Sequence, residues 1–66
     1  MISSARDFEA TLAQSKVKMG ELLTLTVSLS VLREVPAICQ KYGFSMVDGE
    51  DVRGGVKVTL ERRFEV

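Results

Sequence analysis

The chain has one cysteine, Cys39, and no histidine, and this restricts the chemistry that its side chains can perform. A zinc or iron–sulfur site within one chain needs several Cys or His ligands, so we expect neither a metal site nor a cofactor. A Ser-His-Asp or Cys-His pair is excluded because the imidazole base is missing.

The position of Cys39 favours a structural role. It lies four residues after Val35 and seven after Leu32, on the apolar stripe of a predicted helix. Free cysteine is among the most buried residue types, and burial raises the thiol pKa and makes the group unreactive. The spacing predicts a core residue; the alternative is an exposed thiol that acts as a nucleophile.

Two clusters of charged residues are further candidates. Asp48, Glu50 and Asp51 could bind a metal or transfer protons, but the pattern favours a polar hairpin loop. The second cluster is basic: Arg53, Lys57, Arg62 and Arg63. These residues could contact an anionic partner or form a solvated face together with the glutamates interleaved among them.

Composition excludes several kinds of partner. Nine basic and nine acidic residues cancel, which argues against a sequence-independent grip on nucleic acid and against a membrane surface. No apolar run approaches the roughly 18 residues that span a bilayer. Arg6, Asp7 and Glu9 interrupt the N-terminal stretch where a signal peptide would be apolar, so we expect a cytoplasmic protein. A lone cysteine agrees with a reducing compartment.

The elements that position these residues follow from hydrophobic periodicity, and 66 residues suffice for one domain, 1–66. A helix is predicted from a Ser3 or Ser4 cap to near Lys16, with Gly20 as its stop. The period changes to two over Glu21–Ser30, which predicts a strand with one buried face.

The second half of the chain predicts a helix followed by a hairpin. The helix ends at Gly43, and Pro36 implies a bend or a late helix start. The last two strands are separated by the turn-forming stretch from Asp48 to Gly55, and the final strand could reach Phe64. The pattern predicts an α+β two-layer sandwich, with two helices on one face of a mixed sheet, in the order α-β-α-β-β.

Several short motifs together resemble one family. Gly20-Glu21 opens the alternating strand, an Arg-Glu-Val-Pro-Ala-Ile-Cys run covers residues 33–39, and Gly43–Val47 enters the next strand. The ending Gly-Val-Lys-Val-Thr-Leu-Glu-Arg-Arg completes the match. This stretch resembles the TusA/SirA-type sulfur carriers, which relay sulfur as a cysteine persulfide. The resemblance implies a TusA-like domain in sulfur or redox metabolism.

The chain departs from that family at its N-terminus. The family has a first strand and then a Cys-Pro-x-Pro motif at the start of its first helix, and the corresponding residues 3–6 are Ser-Ser-Ala-Arg. A serine hydroxyl cannot carry a persulfide. We therefore expect a non-catalytic domain that binds a partner or regulates one. The alternatives are a functioning sulfur carrier, through Cys39 or as a fragment of a longer sulfurtransferase, and a structural or oligomerising module unrelated to sulfur.

The missing first strand points to a site for partners. In the family it lies beside the strand that corresponds to Glu21–Ser30, so without it the backbone of Leu23, Leu25 and Val27 is expected to form an exposed edge. Such an edge can add a strand from a protein partner or from a second copy of the chain. The alternative is that Met1-Ile2 or the C-terminal segment covers it.

Overall fold

The computed structural model describes residues 1–64, which form three helices and a three-stranded antiparallel sheet. In chain order the elements are α1 (Ala5–Ala13), β1 (Leu22–Ser28), α2 (Leu29–Leu32), α3 (Val35–Tyr42), β2 (Phe44–Val52) and β3 (Gly55–Arg62). The strands lie in the order β1-β3-β2, so the last strand is central. The α+β class and the antiparallel pairing of the last two strands are confirmed.

Helix α1 begins as predicted but ends early. The Ser4 hydroxyl accepts a hydrogen bond from the Asp7 N–H at 3.1 Å, so Ser4 rather than Ser3 is the cap. The helix stops at Ala13 instead of near Lys16. The Ser15 hydroxyl accepts from the Val17 N–H, and this local turn competes with further helical bonds.

The predicted second helix is divided into two. The chain leaves α2 after Leu32, and α3 starts at Val35 with Pro36 in its first turn. A proline is tolerated there because its missing N–H has no intrahelical partner in any case. The late start expected from Pro36 is therefore confirmed, and Gly43, with φ 82°, ends α3 in the left-handed conformation as predicted.

The hairpin turn lies within the predicted stretch from Asp48 to Gly55 but is much shorter than that stretch. Asp48-Gly49 lies within β2, which continues to Val52, and the chain reverses at Arg53 and Gly54. Gly54 has φ 81°, a conformation that glycine adopts without steric cost. A bulge at Val47, between Met46 and Asp48, takes up one extra residue of β2. Strand β3 ends at Arg62, so Phe64 lies beyond it.

The core lies between the helices and one face of the sheet. Its sheet side consists of Val27, Phe44, Val56, Val58 and Leu60, and its helix side consists of Phe8, Leu12, Val31, Val35, Ile38 and Cys39. The alternate positions of the strands form the opposite face, where Thr24 and Lys57 are exposed. The sheet expected to be mixed has only antiparallel pairs between its three strands.

Candidate partner-binding edges

The outer edge of β1 is covered at one end only. The Ile2 N–H donates to the Thr26 carbonyl at 2.9 Å, and the Ser28 N–H donates to the Ile2 carbonyl at 2.8 Å. Ile2 thereby forms an isolated parallel bridge to Val27. The N-terminal segment therefore covers the edge, as the alternative predicted, but only beside Thr26 and Ser28 at the end of the strand.

The rest of this edge is open. Because Thr26 and Ser28 face Ile2, the backbone groups of the other even-numbered positions, Leu22 and Thr24, face outward as well. Within residues 1–64, the N–H and C=O groups of Leu22 and Thr24 and the N–H of Thr26 have no backbone partner. We call this stretch, residues 22–26, the β1 edge.

The residues predicted to supply the edge face the other way. Leu23, Leu25 and Val27 are paired with Leu60, Val58 and Val56, and alternation directs their backbone groups toward β3. Their side chains lie on the core face: Val27 is buried and the two leucines are partly buried against the core. The outward backbone groups belong to their neighbours instead.

The second edge of the sheet is the outer side of β2. Ser45, Asp48 and Glu50 pair with the odd-numbered residues of β3, whose backbone groups face β2. Phe44 and Met46 therefore direct their N–H and C=O groups outward, and these groups have no backbone partner within residues 1–64. The bulge at Val47 ends this regular stretch.

A groove of about 470 Å³ lies beside this second edge. It is lined by Pro36, Cys39 and Gln40 of α3, by Phe44, Ser45 and Met46 of β2, and by Phe64. Cys39 and Phe44 are buried, whereas Met46 is 46% and Phe64 48% exposed. The floor of this α3–β2 groove is therefore apolar, and two of its walls present accessible apolar side chains.

Cys39 is buried, as its spacing predicts. Its side chain is 2% exposed, and burial raises the pKa of the thiol to about 11. At pH 8 the thiolate fraction is then on the order of a hundredth of that of a thiol with an ordinary pKa near 8.5–9. The structure thus places the only thiol of the chain where it is both inaccessible and protonated.

The charged candidates do not converge on a centre. Asp48, Glu50 and Asp51 are exposed along β2, and Glu50 lies 3.5 Å from Lys57 in an ion pair. Residues 1–64 contain no group of three or more side chains that could hold a metal ion. The acidic residues thus belong to a strand, not to the hairpin loop that the sequence predicts.

The basic cluster is also divided. Arg53 lies in the hairpin turn, at the opposite end of β3 from Arg62. The Arg62 guanidinium donates to the Val17 carbonyl at 3.2 Å and lies 5.3 Å from the centre of the Phe44 ring. It therefore fastens the segment after α1 to the sheet, and it is not a free surface cation.

Sequence reasoning missed a contact between the two longer helices. Glu9 of α1 accepts hydrogen bonds from the Lys41 ammonium and, at 2.9 Å, from the Tyr42 hydroxyl of α3. These bonds lower the pKa of Glu9 and raise the pKa values of Lys41 and Tyr42. More than 30 residues separate the partners, so no local pattern could have indicated the pair.

Comparison with protein-family models, with characterised proteins and with solved structures gives no match. Along residues 1–64, no helix is long and apolar enough to cross a membrane.

Proposed function

We propose that this chain is a non-catalytic, TusA-like partner-binding domain in cytoplasmic sulfur or redox metabolism. It binds by adding a strand, from a protein partner or from a second copy of the chain, to the β1 edge. The observation that carries this proposal is the unpaired backbone of Leu22 and Thr24, on a strand that is otherwise regularly paired.

Three features support the TusA-like part of the proposal. The helices all contribute to one core on one face of the sheet, in agreement with a two-layer sandwich. Ile2 lies parallel to β1, on the side where the family has its first strand. Ser4 caps α1, near the position that holds the family's reactive cysteine, so the helix N-terminus is satisfied by a hydroxyl that cannot carry sulfur.

Backbone bonds alone would give weak binding. At about 1 kcal/mol of net stabilisation each, the open groups of the β1 edge would contribute roughly 5 kcal/mol. This value reaches only the lower end of the roughly 4–15 kcal/mol that association costs in lost translational and rotational freedom. Leu22 is 61% exposed beside these groups, and its burial by the added strand supplies a further apolar contribution.

Thr24→Pro tests the β1 edge. Proline removes one outward N–H and places its ring in the path of an added strand, but the bonds to β3 persist because Thr24 does not face β3. We expect the wild type to associate with increasing concentration in sedimentation equilibrium and Thr24→Pro to remain monomeric. Thr24→Val is the matched control, since it keeps the N–H and a β-branched shape, and it should associate like the wild type.

Hydrogen exchange of the monomer can contradict the proposal that the β1 edge is open. The amides of Leu22 and Thr24 should exchange rapidly at low concentration, whereas those of Leu23 and Leu25 should be protected by β3. Strong protection of Leu22 and Thr24 in a proven monomer would mean that the edge is already covered, and the proposal would then fail.

A sulfur-loading experiment distinguishes the proposal from a functioning carrier. The protein is incubated with a cysteine desulfurase and cysteine, and its intact mass is measured beside that of Cys39→Ser. We expect no gain of sulfur in either protein, because the single thiol is buried and protonated. A gain that requires Cys39 would establish a carrier instead. Self-association without binding to any sulfur-transfer protein would favour an oligomerising module.

A further inference from the structure

The α3–β2 groove combines two properties of a peptide-binding site. Its volume of about 470 Å³ lies within the range of roughly 300–1,000 Å³ that is usual for ligand sites. It is also bordered by the outward backbone groups of Phe44 and Met46, which are two residues apart. A strand bonded to both residues would have the same two-residue period, so it would direct alternate side chains toward the groove.

The apolar walls determine what the groove accepts. Met46 and Phe64 are each about half exposed, and between them lie the buried side chains of Cys39 and Phe44. Among residues 1–64, the polar side chains in the lining are those of Gln40 and Ser45, and neither is charged. An uncharged apolar side chain such as that of Leu or Val therefore matches the groove.

The charges on β2 determine what flanks that side chain. Asp48 and Asp51 are exposed beyond the bulge, and neither has an ion-pair partner in residues 1–64. In a strand that runs antiparallel to β2, the residues that precede the apolar side chain lie beside Asp48 and Asp51. Lysine or arginine at those positions complements the acids, whereas aspartate or glutamate would be repelled.

We propose that the α3–β2 groove is a second binding site, separate from the β1 edge, for an extended segment of another protein. That segment places one apolar side chain in the groove and carries one or two basic residues N-terminal to it. It adds to β2 as an antiparallel strand. This added strand is short, because the bulge at Val47 interrupts regular pairing after Met46.

The test uses two synthetic peptides, capped at both ends: Ser-Lys-Thr-Lys-Thr-Leu-Thr and a version in which both lysines are glutamate. Binding is followed by NMR on the wild-type protein. The lysine peptide should shift and protect the amides of Phe44 and Met46 and leave those of Leu22 and Thr24 unchanged. The glutamate peptide should bind at least about fivefold more weakly, as expected for a loss of favourable charge pairs.

Variants separate the two parts of the site. Met46→Ala should weaken the lysine peptide about fivefold or more, because it removes a groove wall. Val47→Ala is the matched control: Val47 is 48% exposed on the same strand but does not line the groove, and its replacement should have little effect. Asp51→Lys should weaken the lysine peptide about two- to fivefold and strengthen the glutamate peptide.

Four results would overturn the inference: no binding of the lysine peptide at about 1 mM, equal binding of both peptides, equal effects of Met46→Ala and Val47→Ala, or self-association of the protein through β2. Thr24→Pro should bind the lysine peptide like the wild type. If the β1 edge proves not to bind a strand, this inference is therefore unaffected. If the groove proves not to bind the peptide, the proposal for the β1 edge is likewise unaffected.

Discussion

Gly55→Ala is expected to unfold most of the protein. Gly55 opens β3 and pairs with Ser28 of β1. A β-carbon at Gly55 would lie 2.2 Å from the Val27 carbonyl oxygen and 3.1 Å from its carbonyl carbon. Both atoms belong to the backbone of a paired strand and cannot rotate away, so the strands would have to separate where they enter the core.

The size of this effect follows from the small total stability. At roughly 0.05–0.15 kcal/mol per residue, a domain of this length has about 3–10 kcal/mol of unfolding free energy. Displacing a buried backbone ladder costs several kcal/mol, which is comparable to that total. Urea unfolding followed by circular dichroism should therefore show little or no folded baseline for Gly55→Ala.

Gly49→Ala is the matched control for this prediction. Gly49 also lies in the sheet, but a β-carbon there meets only the Val56 Cγ1 at 3.7 Å and the Met46 Cε at 3.8 Å. Both distances are ordinary contacts, so this variant should stay within about 1 kcal/mol of the wild type. A Gly55→Ala protein that unfolds at the same urea concentration as Gly49→Ala would contradict the close approach of Gly55 to Val27.

Gly55 also explains why the sequence predicted the two strands but left two positions open for the turn between them. Asp48-Gly49 and Gly54-Gly55 are equally good local turn signals. The choice between them depends on the register of β3 against β1, which brings Gly55 against the Val27 carbonyl. That contact joins residues almost 30 positions apart, and no spacing rule within the hairpin contains it.

The candidate sites show a similar division between local and distant information. The burial of Cys39 was predictable because its stripe with Leu32 and Val35 is a property of one helix. The outward direction of Leu22 and Thr24, rather than Leu23 and Leu25, was not predictable. Alternation shows that the odd- and even-numbered residues of β1 direct their backbone groups to opposite sides of the strand. The pairing with β3 decides which of the two sides is the open edge.

Both proposed sites use backbone groups more than reactive side chains. The thiol is buried, the N-terminus of α1 is capped by Ser4, and the charged residues form no centre within residues 1–64. The open backbone groups of Leu22 and Thr24 are what remain on one edge, and those of Phe44 and Met46 on the other. Both proposed sites therefore depend on backbone pairing with another chain and not on covalent chemistry.

Phe8→Ala is expected to remove most of the stability of the protein. Both edges depend on the core that supports the sheet, and Phe8 belongs to that core. Phe8 is fully buried and is the largest of the completely buried side chains. Truncating a buried phenylalanine to alanine typically costs about 3–5 kcal/mol, because transfer energy is lost and a cavity remains. That cost is again comparable to the whole unfolding free energy expected for a domain of this size.

Phe64→Ala provides the comparison for Phe8→Ala, because it deletes the same atoms from a side chain that is 48% exposed. It should lower the unfolding free energy by only about 1–1.5 kcal/mol, since half of this side chain is already in contact with water. Guanidinium unfolding of the two variants, measured side by side, should therefore separate their midpoints widely. Equal midpoints would mean that Phe8 does not support the core, and the β1 edge would then lack the support on which strand addition depends.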